Sequence, residues 1–128
     1  MITYKKWNIL DCEEKIILHG CNAQGRMKSG VAKVLREKWP EATWEPYNQQ
    51  YISSGLKVGD IIVGNAQDNS KIIINGISQE FYGYDGKLYL SYAGLKSIFQ
   101  KVNDCDFIYD NPTKIDIAIP KIGAGLAG

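Results

Sequence analysis

His19-Gly20-Cys21-Asn22-Ala23-Gln24-Gly25-Arg26-Met27-Lys28-Ser29-Gly30-Val31-Ala32 is the stretch on which the reading of the fold turns. An apolar run, Ile16, Ile17 and Leu18, enters it, and a helical spacing of apolar residues, Val31, Val34, Leu35 and Trp39, leaves it. Glycines and small polar residues fill the middle, so the stretch reads as a strand, a turn and a helix N-terminus. The first N–H groups of a helix have no intrahelical partner and sit at the positive end of its dipole, which makes such a turn suited to an anion. Gly25 and Gly30 carry no Cβ and let a ligand come close to the backbone. The same residues also fit a plain strand-to-helix connection capped by Ser29. The glycine spacing is that of neither a dinucleotide fingerprint nor a P-loop.

A chain of 128 residues fits one domain spanning residues 1–128 and is long enough to bury a core. With 45% hydrophobic and 23% charged residues, it has the composition of an ordinary globular protein. The net charge of +1 gives no electrostatic argument for a nucleic acid or a membrane surface, so neither is expected as a partner. Three cysteines, Cys12, Cys21 and Cys105, leave an odd count without framework spacing, which points to a reducing compartment. Residues 1–6 lack the apolar core of a signal peptide, and no run nears the roughly 18 apolar residues of a membrane span. The expected location is the cytoplasm. Cys12, His19 and Cys21 include no Cys-x-x-Cys pair, so no metal or other cofactor is expected.

Outward from the opening stretch, the elements alternate. Residues 2–7 suit a short strand, residues 8–11 a turn, and residues 15–20 an interior strand apolar on both sides. A helix over 29–39 ends at Pro40, and a second over 42–54 has Pro46 near its first turn and Gly55 past its end. Two strands, 61–64 and 71–77, flank a hairpin turn at Gln67-Asp68-Asn69-Ser70. A glycine- and aromatic-rich loop, a helix over 91–103 and a last strand over 114–119 complete the chain. This is one α/β domain with a mixed sheet. The loops leaving residues 20, 77 and 119 depart from strand ends, where ligands of such sheets bind.

Asn8-Ile9, His19 to Gly25, Ser29-Gly30-Val31-Ala32, Gln79-Glu80-Phe81-Tyr82-Gly83 and Pro120-Lys121-Ile122-Gly123-Ala124-Gly125-Leu126 together resemble the macro domain, the ADP-ribose-binding module. The resemblance covers nearly the whole chain and implies a three-layer α/β/α fold with a mixed central sheet. It is nearest to the small stand-alone branch of bacteria, phages and fungi that acts as ADP-ribose 1''-phosphate phosphatase. A sister branch, which removes ADP-ribose from proteins, has a lysine after the strand matching 71–77 and an acid after the final Gly-x-Gly-Leu. Here Gln79 or Glu80, and Ala127, hold those places, and an amide cannot replace a lysine nucleophile.

The resemblance also distributes roles. Asn8 and Ile9 would meet the adenine, where the family more often has aspartate. Asn22 would contact the distal ribose, with Gly20 and the backbone of Cys21 beside it. Met27, Lys28, Ser29, Gly30, Val31 and Ala32 would wrap the diphosphate from one side, and Ile122, Gly123, Ala124, Gly125 and Leu126 from the other. Lys28 stands where the family usually has glycine, and relatives usually run on beyond the position of Gly128 into one more helix. His19 reads either as a hydrogen-bonded core imidazole or, by the resemblance, as a catalytic group. Asp85 reads either as an ordinary Asp-Gly turn residue or as the acid of the phosphatase branch. Phe81 and Tyr82 either plug their loop to the core or cover the ligand. An imidazole and a carboxylate can divide leaving-group protonation and water activation in hydrolysing an anomeric phosphomonoester. The expected activity is therefore hydrolysis of ADP-ribose 1''-phosphate by His19 and Asp85. The alternatives are ADP-ribose binding without turnover and, further off, an ADP-ribosyl deglycosylase.

Overall fold

The computed structural model describes residues 8–28, 30–80, 92–105 and 116–120. After a 3-10 turn at Ile9–Asp11 come β1 (Ile16–Asn22), α1 (Gly30–Lys38), α2 (Trp44–Ser54), β2 (Ile61–Asn65), β3 (Ile72–Gln79), α3 (Tyr92–Asn103) and β4 (Ile117–Ala118). The strands form one mixed sheet in the order β2-β3-β1-β4. β1 runs parallel to both β3 and β4, and β2 is antiparallel to β3. Parallel neighbours need crossovers, and α1, α2 and α3 supply them.

β1 and β3 are apolar on both sides because helices cover both faces. Ile17, Leu35, Trp39, Ala42, Ala66 and Ile73 pack between the sheet and the α1/α2 layer. Cys21, Met27, Tyr47 and Ile77 continue that layer towards the carboxyl ends of the strands. Ile16, Leu18, Ile74, Ile98 and Val102 pack on the opposite face, beneath α3. The layering is thus helix, sheet, helix, as expected.

Local chemistry sets the element ends. α1 stops before Pro40, and the chain then turns on the carbonyl of Trp39, which accepts the N–H groups of Ala42 and Thr43 and the Thr43 hydroxyl. Those residues are spent in the turn, so α2 begins at Trp44 rather than at 42. Gly55 closes α2 at φ +81°, donating its N–H to Gln50 and Tyr51 carbonyls. Asn69, at φ +61°, forms the β2–β3 hairpin in the expected turn. Gly64 is required by contact: a Cβ there would lie 2.3 Å from the carbonyl oxygen of Ala42.

The strand expected over 2–7 lies outside the described residues. Of the strand expected over 114–119, residues 117–118 pair with Ile16 and Ile17, and 114–115 lie outside. No helix of the described residues is long and apolar enough to cross a membrane.

Candidate functional site

Because β1, β3 and β4 are parallel, their carboxyl ends share one edge of the sheet. The β1–α1 loop, described over residues 23–28, leaves from there and is tied back to it by the Ala23 N–H, which donates to the Gln79 carbonyl at 2.9 Å. A register shift after Cys21 moves the pairing from Ile77 to Gln79 and leaves Ser78 unpaired. Such a bulge re-aims the chain at the edge where it occurs.

The loop is held by one asparagine and one tyrosine. Asn22 Oδ1 accepts the Gln24 N–H at 2.9 Å, and Asn22 Nδ2 donates to the Arg26 carbonyl at 2.9 Å. A backbone N–H can only donate, which fixes the amide orientation. From α2, the buried Tyr47 hydroxyl accepts the Arg26 N–H at 3.0 Å. It lies 2.8 Å from the Asn22 carbonyl and 3.0 Å from Asn22 Oδ1, either of which takes its proton. Burial pushes the phenol well above its ordinary value, so the hydroxyl keeps that proton. Gly25, at φ +76°, lies under the Tyr51 ring, which a Cβ would strike at 2.6 Å.

Met27 is buried under the loop, and Arg26 and Lys28 are exposed on it. Gly30, at φ +63°, opens α1, and the N–H groups of Gly30, Val31 and Ala32, in its first turn, have no acceptor within the helix. Ser29 lies outside the described residues. So do Asp85, Phe81, Tyr82 and the segment Ile122, Gly123, Ala124, Gly125 and Leu126, the expected second arm of the diphosphate cradle.

His19 is 1% exposed and lies level with Asn75 on the neighbouring strand. Asn75 Nδ2 donates to the carbonyls of Ala42, at 3.1 Å, and Ile62, at 2.9 Å. Its oxygen therefore faces the imidazole, and His19 Nε2 carries the proton and donates to it at 2.6 Å. Burial outweighs this hydrogen bond and lowers the His19 pKa to about 4. The ring is neutral at pH 7, with its one proton, on Nε2, engaged by Asn75. The burial and the Asn75 hydrogen bond are what the core reading of His19 calls for.

Cys21 is buried beside it, with Sγ 3.6 Å from Nε2, and burial pushes its thiol up. A protonated, inaccessible thiol is a packing residue, and only its backbone is available to a ligand. Asn8 uses its side-chain oxygen to cap the 3-10 turn, accepting the Leu10 N–H at 3.0 Å. Ile9 packs with Val31 against the Ile17–Leu35 cluster, so the structure brings these two expected contacts together. Gly20 sits in β1 opposite Gly76. No group of three or more metal-ligating side chains occurs among the described residues.

Sequence reasoning did not single out Tyr47 or Asn75. An asparagine inside the run Ile72-Ile73-Ile74-Asn75-Gly76-Ile77 was the available signal, since a buried amide must find partners. Tyr47 carried none, because its partners lie 21 and 25 residues earlier.

A family model described as the macro domain matches residues 18–128. An ADP-ribose 1''-phosphate phosphatase of Candida albicans is 27% identical over 133 residues, spanning 100% of this chain and 85% of its own. Among solved structures, the macrodomain of Mycobacterium tuberculosis DarG superposes with a TM-score of 0.78 at 20% identity, over 100% of this chain and 80% of that one. A Bacteroides thetaiotaomicron protein of unknown function gives 0.74 at 27% identity, over 91% of this chain and 73% of that one.

Proposed function

The chain belongs to the macro domain family, and from that premise we propose that it binds ADP-ribose along the carboxyl edge of its parallel strands. The observation that carries this reading is the β1–α1 loop. Asn22 and Tyr47 lock its shape, and it precedes the first turn of α1, whose N–H groups have no acceptor within the helix. A diphosphate laid there exchanges water for fixed backbone donors at the positive end of a helix dipole. In this reading Met27 to Ala32 and Ile122 to Leu126 hold the diphosphate, Asn8 and Ile9 lie at the adenine, and Asn22 shapes the loop beside the distal ribose.

Within that function we propose hydrolysis of ADP-ribose 1''-phosphate to ADP-ribose and phosphate, with Asp85 and His19 as the residues to test. The support is the fungal relative that spans the chain end to end and bears that activity in its name. A second reading, binding without turnover, is favoured by the burial and neutrality of His19.

Calorimetry with ADP-ribose tests the first step: saturable heat is expected, and none at high micromolar ligand sinks it. Release of phosphate from ADP-ribose 1''-phosphate then separates enzyme from binder. Loss of release in Asp85→Ala with ADP-ribose affinity retained supports turnover at this site. A wild type that binds without releasing phosphate establishes the second reading.

A further inference from the structure

Tyr47 belongs to α2, yet its hydroxyl is used entirely by the β1–α1 loop. It takes the Arg26 N–H at 3.0 Å and approaches two oxygens of Asn22, the backbone carbonyl at 2.8 Å and the amide oxygen at 3.0 Å. Asn22 spends the rest of its amide inside the same loop, on Gln24 and Arg26. Asn22, the last residue of β1, and Arg26, four residues on in the loop, are thus pinned to one buried oxygen. Helix α2 also presses the Tyr51 ring on Gly25 between those pins.

We propose that Tyr47 is the positioning residue of the ligand site: its hydroxyl presets the loop in the ligand-accepting shape, so that ADP-ribose does not bear the cost of ordering it. The inference rests on the functional reading above. Its physical basis is that a preorganised loop loses little conformational freedom on binding, whereas an unpinned loop must lose that freedom at the ligand's expense. A phenylalanine at this position keeps the ring in the core and removes only the pin. Arg26 N–H and the Asn22 oxygens then turn to water, and the loop samples other shapes.

The test compares Tyr47→Phe with Ile98→Val, a core change on the inner side of α3, on the far face of the sheet. Both are assayed by calorimetry with ADP-ribose at a temperature where melting curves show each variant fully folded. Tyr47→Phe is expected to bind about tenfold more weakly, the scale of one lost hydrogen-bond anchor, and Ile98→Val as tightly as wild type. Equal affinities in wild type and Tyr47→Phe overturn the proposal and leave the functional reading standing. Equal weakening in both variants also overturns it, because the effect is then one of general stability. An absence of heat from the wild type overturns the functional reading and this inference together. One measurement needs no variant: amide exchange at Arg26 in the wild type is expected to slow further on saturation with ADP-ribose. An unchanged rate at bound ligand means that the pin is not part of the site, and sinks the proposal even where Tyr47→Phe fails to fold.

Discussion

Ile74 and Asn75 are adjacent on β3 and point into opposite layers, and their surroundings differ in kind. Ile74 faces α3 and packs in an aliphatic cluster with Ile16, Leu18, Ile98 and Val102. Asn75 faces α1 and α2 and joins His19 to the carbonyls of Ala42 and Ile62 through three hydrogen bonds. An aliphatic layer is held by area and shape and tolerates substitutions that conserve volume. A buried polar network is directional, so each member fixes the place of the others and none is easily replaced. The face with directional contacts is also the one that carries the β1–α1 loop. The molecule keeps its positional precision on the side where a ligand would need it.

The strongest challenge to that contrast is Asn75→Ala. It leaves a buried imidazole N–H without its acceptor and takes the amide donor away from two carbonyls, and about 3 kcal/mol of unfolding free energy should be lost by denaturant titration. A loss no larger than that of an aliphatic trim would mean the polar layer is as forgiving as the other.

Acidification probes the same network. Folded His19 titrates near 4, against an ordinary value of 6.5, so below pH 6.5 the unfolded chain takes up the proton first. The contribution is fully present above that value and is lost as the pH falls through about 4, amounting to about 3 kcal/mol. Stability profiles of wild type and His19→Gln should converge over that interval, and parallel profiles would contradict the burial of the ring.

Gly64→Ala pushes a Cβ against the Ala42 carbonyl that Asn75 holds, and should cost about 2 kcal/mol in the same titration. On the aliphatic side, Ile74→Val should cost about 1 kcal/mol. At the surface, Lys101 and Asp60 form an exposed ion pair at 2.9 Å, and Lys101→Ala should shift stability by less than about 0.5 kcal/mol.

Much of the architecture could be read from local chemistry. The apolar run 16–18, the stop at Pro40, the glycine after Ser54 and the Asp68-Asn69 turn each fix an element end through backbone sterics, which act over a few residues. The second helix came out two residues shorter than its pattern, because Ala42 and Thr43 bond back to Trp39. Such a tertiary turn leaves no periodic trace. The site was readable as a backbone loop and less so as side chains. His19 fits two descriptions equally well in sequence, and its hydrogen bond to a residue 56 positions away is visible only in the fold. Tyr47 is one aromatic among several in its segment, and only the fold brings the loop onto its hydroxyl.

The hairpin between β2 and β3 lies at the opposite end of β3 from the proposed ligand edge, and eight residues of strand separate the two by roughly 23 Å. Residues 67–70 are exposed there, and the Gln67 N–H is anchored to Glu41. An insertion between Asp68 and Asn69 therefore meets water rather than protein. That turn is the natural place to attach a dye, a surface tether or a second domain, with the opposite rim left clear to report on nucleotide-sugar capture.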